Sequence, residues 1–336
     1  MRALKELPER DKDLLCPHFL LRPWGVSNYL QSSIDKLLEA YGDRPAILDL
    51  AEHEPPGTPR PVHEELQLLR QPAEGFANWC AYVERHGNFI PTLQLGDLNE
   101  IELQAERLLE LDRGLVIRFP RPALPASRLY SQRLGPVTGG GEGLMFILDY
   151  ERSNADLLLH QAEAVGLVRG IWEHSPLARV AISASSFPDA FGNLDDQEIY
   201  ERRLFQGVRA IVGEELLVYS DRGSARAERQ VGGGGTIYPR IDYALPASWQ
   251  FFRAEDGPSR ARVYTALALQ VTAAPIWDPH LRVWGTQMIE RTALGDPDAI
   301  VSPARATATR INLHLHRQLF FDNPGGLYET DEEWED

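Results

Sequence analysis

The chain has 336 residues, of which 43% are hydrophobic and 25% are charged, and its formal net charge at pH 7 is −15. The acidic excess argues against non-specific nucleic-acid binding by the chain alone, because contacts to phosphates need basic clusters. The opening MRALKELPERDKD lacks the apolar run of a signal peptide, and no segment approaches ~20 uninterrupted apolar residues, so we predict a cytoplasmic protein without a membrane span.

Eight short apolar segments recur along residues 18–244, and most of them precede a stretch with the apolar spacing of a helix. Such alternation of strand and helix is typical of a parallel, TIM-like (β/α)₈ barrel. The predicted strands are 18–22, 45–50, 89–95, 114–119, 144–150, 179–183, 216–220 and 237–245. The predicted helices between them are 27–40, 62–86 (broken near Pro72 and Gly75), 99–111, 154–174 and 195–213.

The end of the chain is less regular. Residues 246–321 are predicted as an irregular carboxyl-terminal extension of the barrel, with helices at 258–271 and 303–321. Acidic side chains dominate residues 322–336, which we expect to be a mobile tail. Because the chain has no internal repeat and no clear linker, residues 1–321 are predicted to be a single domain.

In a (β/α)₈ barrel the chemistry lies at the carboxyl ends of the strands and on the loops that follow them. Arginines and carboxylates end several of the predicted strands. The residues at these positions are Arg22, Trp24, Asp49, Glu52, Gln94, Asp97, Arg118, Arg121, Asp149, Glu151, Ser185, Ser186, Asp221, Arg222, Arg240 and Asp242. Asp49, Arg118 and Asp149 each come directly after an apolar run, so their charges begin close to the core and must be paired or solvated.

We predict Asp49 and Asp149 as acid/base residues, because carboxylates buried near one another can split their pKa values. The predicted substrate-binding residues are Arg118, Arg240, Arg22 and Ser186. The arginines suit an anionic substrate, since a guanidinium group binds phosphate or carboxylate through paired hydrogen bonds. If this is right, Asp49, Asp149, Arg118 and Arg240 converge within ~10 Å at one barrel mouth. The alternative for each residue is a structural salt bridge.

Weaker signals indicate no standard catalytic motif. Ser185 and Ser186 lie in SSFPDAFGN without a GxSxG context, which favours a polar turn over a nucleophile. The run Gly232–Gly235 lacks the Lys-Ser/Thr of a phosphate-binding loop, so it is predicted to be a lid or a spacer.

Histidines and cysteines give little indication of a metal or cofactor. His314 and His316 are two residues apart on a predicted helix, so they point apart; we expect one at a surface or interface and one packed. Cys16 and Cys80 fit no metal spacing and are predicted to be small core residues in a reducing compartment. The sequence names no cofactor, and a metal site built from separate strand ends stays open.

Three parts of the chain carry a family resemblance. They are PHFLLRPWGVSNYL near the start, SASSFP after the sixth strand, and the closing YPRIDYAL, LRVWGTQMI and ATATRINLHLHRQL. Together they resemble the phage-type "beta protein" family, and Arg310–Leu319 is the best match. The family's opening commonly has a Lys-Trp-Lys-like pattern, where this chain reads Leu21-Arg22-Pro23-Trp24. The resemblance implies a part in phage–host conflict and supplies no catalytic residues.

Two functional hypotheses follow. In the first, the protein is a component of a bacterial anti-phage defence or mobile-element system and works through a protein partner encoded nearby. In the second, it is a TIM-barrel enzyme of hydrolase or lyase type that applies acid/base chemistry to an anionic, phosphorylated or nucleotide-like small molecule. The sequence does not decide between a binding protein and an enzyme.

Overall fold

Parallel strands form the framework of the structure. The computed structural model describes residues 1–52, 58–192, 194–225, 238–255, 257 and 259–329. The strands are β1 (His18–Leu21), β2 (Ala46–Leu50), β3 (Phe89–Leu93), β4 (Leu115–Pro120), β5 (Leu144–Arg152), β6 (Arg179–Ser185), β7 (Asp196–Glu198), β8 (Leu217–Tyr219), β9 (Arg240–Ala244) and β10 (Ser248–Arg253). Seven of them form one parallel sheet in the order β1-β2-β3-β4-β5-β6-β8, which curls into a half-barrel flanked by helices.

Helices follow most strands, as the alternating pattern predicts. They are α1 (Arg2–Lys5), α2 (Glu9–Asp13), α3 (Gln31–Tyr41), α4 (Pro61–Leu69), α5 (Ala73–Glu84), α6 (Ile101–Leu109), α7 (Ser127–Val137), α8 (Gln161–Trp172), α9 (Tyr200–Val212), α10 (Arg260–Ala273), α11 (Trp284–Ala293) and α12 (Pro303–Leu319). The break expected near Pro72 and Gly75 separates α4 from α5, and Gly75 adopts a left-handed φ of 62°. No helix among the described residues is long and apolar enough to cross a membrane.

The prediction of a closed (β/α)₈ barrel is wrong, because the eighth candidate strand leaves the main sheet. Its described part, β9, pairs antiparallel with β10, which also pairs antiparallel with β7. The inward side chains of β9, Ile241 and Tyr243, pack into a separate core with Trp249 and Leu267. The predicted Gly232–Gly235 lid or spacer lies outside the described residues.

Residues 246–321 build most of this second core, so the extension is more ordered than its sequence indicates. Strand β10 and helices α10, α11 and α12 contribute large buried side chains to it, among them Trp249, Tyr264 and Leu313. Helix α12 also lines the open side of the half-barrel, where Ile311 and Leu315 face a groove that β1 and β8 border. Helix α12 therefore faces the same groove as the two edge strands of the parallel sheet.

Both histidines of α12 are fully buried, which corrects the expectation that one lies at a surface. They point apart, as predicted: His314 Nε2 lies 2.8 Å from Asp221 Oδ2, and His316 Nδ1 lies 2.6 Å from Asp11 Oδ2. The other ring nitrogen of His316 is 3.0 Å from the carbonyl oxygen of Leu327. His316 thus joins the amino-terminal helix α2 to the end of the chain.

The first residues of the acidic segment are in contact with the rest of the protein. Asp322 accepts hydrogen bonds from Arg209 at 2.9 and 3.2 Å, and Leu327 is buried in a 3₁₀ turn at Pro324–Tyr328. Residues 330–336 lie outside the described residues, and the division into one domain and a tail stays a prediction. Cys80 is buried as expected, whereas Cys16 is exposed.

Because of the Asp11–His316 contact, we expect two aspartates on one short helix to differ widely in how much they contribute to the free energy of unfolding. Asp11→Ala should lower the free energy of unfolding by about 3–5 kcal/mol, because it leaves a buried imidazole without its acceptor. Asp13→Ala, which removes an exposed pair with Arg44, should cost under about 1 kcal/mol. Urea unfolding followed by circular dichroism measures both values. Equal losses would contradict the view that α2 is anchored through Asp11.

Candidate functional site

A cleft of about 900 Å³ lies at the carboxyl ends of the parallel strands, where the sequence places the chemistry. Among the described residues, its lining includes five arginines and four carboxylates. The arginines are Arg22, Arg118, Arg121, Arg152 and Arg222, and the carboxylates are Glu52, Glu151, Asp156 and Asp189. The cleft thus brings five guanidinium groups together in a chain whose net charge is −15.

Strand periodicity explains how polar side chains reach the base of the cleft. Residues two apart on a strand share a face, and Ile47, Val116, Ile147 and Ala181 pack together on one face of the sheet. The residues two positions later on the same strands are Asp49, Arg118, Asp149 and Ser183. These four side chains therefore form a polar layer directly above an apolar layer.

Asp149 is the centre of this polar layer. Its Oδ2 accepts hydrogen bonds from Arg118 Nε at 2.8 Å and from Arg222 Nη2 at 2.6 Å, and the carboxylate is almost fully buried. Burial alone would lower the pKa of Arg118, but the charges of Asp149, Asp49 and Glu52 outweigh it and raise that pKa. The ion cluster therefore holds a cationic guanidinium at the base of the cleft.

Glu151 has the most unusual conformation in the cleft. The register between β5 and β6 shifts after Asp149, and Glu151 adopts a φ of 56°, which is rare for a residue with a side chain. Its backbone N–H donates to Asp149 Oδ1 at 2.9 Å, and its carboxylate lies 3.8 Å from Arg118 Nη2. Burial, followed by the charges of Asp149 and Glu52, raises the pKa of Glu151. Strained backbone and a perturbed carboxyl group together are typical of functional sites.

Asp49 is held as an anion by its neighbours. Burial raises its pKa, but hydrogen bonding from His18 and the charges of His18 and Arg118 outweigh this and lower it. Its Oδ1 lies 2.9 Å from both Thr92 Oγ1 and Gln94 Nε2, and His18 Nε2 is 3.2 Å from Oδ2. These contacts favour Glu151 over the predicted Asp49 as the group that gains and loses a proton.

The other predicted site residues divide between the cleft and the second core. Arg22 lies exposed at the cleft rim, and Ser186 lines the cleft as well. Arg240 does not join them: its guanidinium pairs with Asp242 and stacks 3.4 Å from the ring centroid of Phe191. The structure therefore brings Asp49, Arg118 and Asp149 together, whereas Arg240 lies in the three-stranded sheet because β9 leaves the parallel one.

A buried carboxyl group behind the cleft escaped the sequence analysis. Glu201, in the first turn of α9, accepts hydrogen bonds from the backbone N–H and the hydroxyl of Ser186. Burial and the nearby charge of Asp221 raise the pKa of Glu201 to about 7. Asp221 behaves oppositely: burial opposes its ionisation, but His314 and Tyr219 lower its pKa to about 2. The sequence YERRLF gives no signal for this, because it reads as an exposed helix face.

Metal ligands are not grouped at the cleft. Within the described ranges, no three His, Cys, Asp or Glu side chains are arranged to hold a metal ion. The arrangement at the cleft suits the binding of an anion by arginines, with Glu151 placed beside them as a proton donor or acceptor.

The raised pKa of the buried Glu201 leads to a prediction of how the stability of the protein depends on pH. Its pKa is 4.5 ordinarily and about 7 in the folded protein, so between these values the folded state keeps a proton that the unfolded state has released. The free energy of unfolding should therefore fall by about 3 kcal/mol as the pH rises through this window. Glu201→Gln should remove that contribution, as measured by urea unfolding of both proteins at pH 5 and pH 8.

The exposed Glu198 provides the matched control for Glu201. Its side chain is 51% exposed and paired with Arg203, so Glu198→Gln should keep the pH dependence of the wild-type protein. An identical pH dependence for wild type and Glu201→Gln would show that the carboxyl group titrates normally.

Comparison with known proteins identifies relatives over nearly the whole chain. A family model described as "Beta protein" matches residues 1–320. "Protein beta" of Enterobacteria phage P4 is 29% identical over 333 residues, which cover 95% of this chain and 89% of the phage protein. No solved structure matches the chain. The resemblance noted in the sequence is confirmed, and the chain belongs to the Beta protein family.

Proposed function

We propose that this is a phage- or mobile-element-associated protein whose arginine-lined cleft binds a phosphorylated or nucleotide-like anion and applies acid/base chemistry to it. The phage P4 relative supports the association, and the cleft supports the chemistry. The observation that carries the proposal is the pairing of the half-buried Arg118 and Arg222 with the buried Asp149, next to the strained Glu151.

Arg118 is the group best placed to bind the anion. Its Nε is occupied by Asp149, while its Nη2 lies 3.9 Å from Glu52 and 3.8 Å from Glu151, beyond direct hydrogen-bond distance. A phosphate oxygen that enters the cleft would meet this nitrogen together with the other arginines of the lining. Charge-assisted hydrogen bonds of this kind are about twice as strong as neutral ones.

Glu151 is the proposed acid/base residue. Its raised pKa keeps it closer to neutral pH than an ordinary glutamate, which suits proton transfer. Anion binding would bring further negative charge to Glu151 and would raise its pKa again. The substrate itself would thus favour the protonated, proton-donating form.

The anti-phage defence role and the protein partner stay proposals. The irregular carboxyl-terminal part of the sequence favours a binding role. In the structure, that part is largely a packed core of β9, β10, α10, α11 and α12. Purification of the tagged full chain from cells that carry its neighbouring genes is the test for a partner. A chain that elutes as a monomer beside every neighbouring product would count against it.

Inorganic pyrophosphate is the probe for anion binding at the cleft. Arg152 lines the cleft with a side chain that is 55% exposed, so its loss should not unfold the protein. Arg152→Gln should weaken pyrophosphate binding by about tenfold, the value of one charge-assisted contact. Isothermal titration calorimetry of the full chain measures the dissociation constant.

Arg128 is the matched control for this experiment. It is exposed and paired with Glu173, and it is not part of the cleft lining, so Arg128→Gln should leave the affinity unchanged. If pyrophosphate does not bind, or if both variants weaken it equally, the cleft is not the anion site.

Glu151 should separate binding from turnover. Glu151→Gln removes a negative charge beside Arg118, so it should keep or strengthen pyrophosphate binding. It should lower turnover of the phosphorylated substrate by about 10²–10⁴-fold, because it removes the proton donor. Mass spectrometry of a phosphometabolite mixture incubated with each protein measures the turnover. Undiminished turnover by Glu151→Gln would exclude this residue as the acid.

A further inference from the structure

A second cavity lies inside the half-barrel, on its open side. This groove has a volume of about 990 Å³ and is bordered by β1, β8 and helix α12. Four residues line both the groove and the arginine cleft: Leu20, Arg22, Arg118 and Arg222. The two cavities therefore adjoin one another, and Arg118 and Arg222 of the ion cluster border both.

The wall of the groove differs from that of the cleft. Part of its lining is apolar: Ile47, Ile147, Ala181 and Val218 line it from the inner face of the strands, one layer below the polar layer of the cleft. Charged residues, among them Arg179, Arg202 and Arg209, line the rest of the groove. The apolar part of the wall favours a flat, uncharged group with apolar faces. A free sugar would leave its hydroxyl groups without hydrogen-bond partners against these side chains.

His18 gives the wall a specific polar contact. Its Nε2 faces Asp49 at 3.2 Å, and Asp49 is kept ionised, so this ring nitrogen carries the proton and donates it. Its Nδ1 has no hydrogen-bond partner among the described residues. His18 lines the groove with a side chain that is 21% exposed.

We propose that the groove is the base-binding subsite of a nucleotide whose phosphates occupy the arginine cleft. A nucleobase has apolar faces that suit the wall of Ile47, Ile147 and Val218, and its edge carries nitrogen and oxygen atoms that can form a hydrogen bond with Nδ1 of His18. Asp49 is then a positioning residue, because its contact with Nε2 fixes the orientation of the ring. The inference rests on the proposed function, since the arginines must first hold the phosphates.

Calorimetry with matched probes tests the subsite. ADP, GDP, CDP and UDP each contain the pyrophosphate group, so the increase in affinity over inorganic pyrophosphate isolates the nucleoside. At least one of them should bind the full chain about tenfold or more tightly than pyrophosphate. His18→Ala should weaken that nucleotide by about tenfold and leave pyrophosphate within about twofold. Arg152→Gln should weaken both probes.

Two further variants keep the test decisive. His280→Ala removes an exposed histidine outside both cavities and should change neither affinity. If His18→Ala does not fold, Val218→Phe, which adds an aromatic ring to the groove wall, should weaken the nucleotide and not pyrophosphate.

The outcomes distinguish the inference from the proposed function. If pyrophosphate binds but no nucleotide binds more tightly, or if His18→Ala weakens both probes equally, the groove is not a base subsite and the cleft stands alone. If no phosphorylated probe binds at all, the proposed function fails and the subsite fails with it.

Discussion

The contact on which the site depends is the sharing of Asp149 between Arg118 and Arg222. A buried carboxylate is costly unless it is paired, and here two guanidinium groups compensate it. Arg118 comes from β4, Asp149 from β5, and Arg222 from the loop after β8, the last strand of the parallel sheet. The ion cluster therefore ties the open edge of the sheet to its middle, in a half-barrel of seven parallel strands among the described residues. It also fixes the orientation of both arginines toward the cleft.

The sequence predicts the inner parallel strands well because they are covered on both faces. Leu115, Val116 and Ile117 are all buried, so their continuous apolar run is a direct record of two packed faces. The prediction that the eighth strand joins the parallel sheet was wrong, and the sequence of this strand shows why. Arg240, Ile241, Asp242 and Tyr243 alternate polar and apolar side chains, which is the pattern of an antiparallel strand with one wetter face. The regular succession of strands and helices before it favoured a further parallel strand and drew attention away from this polar–apolar pattern.

The candidate site could be predicted in part for the same reason. A charged residue two positions after an inward apolar one must lie on the same face and nearer the strand end, which places Asp49, Arg118 and Asp149 correctly. The sequence does not show that Arg222 and Arg118 both pair with Asp149, since that contact depends on how strongly the sheet curves between β5 and β8. The left-handed turn at Glu151 and the burial of Glu201 are likewise set by tertiary packing and not by local pattern.

The carboxyl groups around the cleft fall into two electrostatic kinds. Asp49 and Asp221 each face a histidine, and their pKa values are lowered, so at neutral pH they are anions that orient their partners. Burial and the charges of neighbouring carboxylates raise the pKa values of Glu151 and Glu201. When the surroundings move the pKa values of neighbouring carboxyl groups apart in this way, the groups with lowered pKa values act as structural anions and those with raised pKa values can exchange protons. Of the two glutamates with raised pKa values, Glu151 lines the cleft while Glu201 lies buried behind Ser186, so Glu151 is the one to which the proposed function assigns proton transfer.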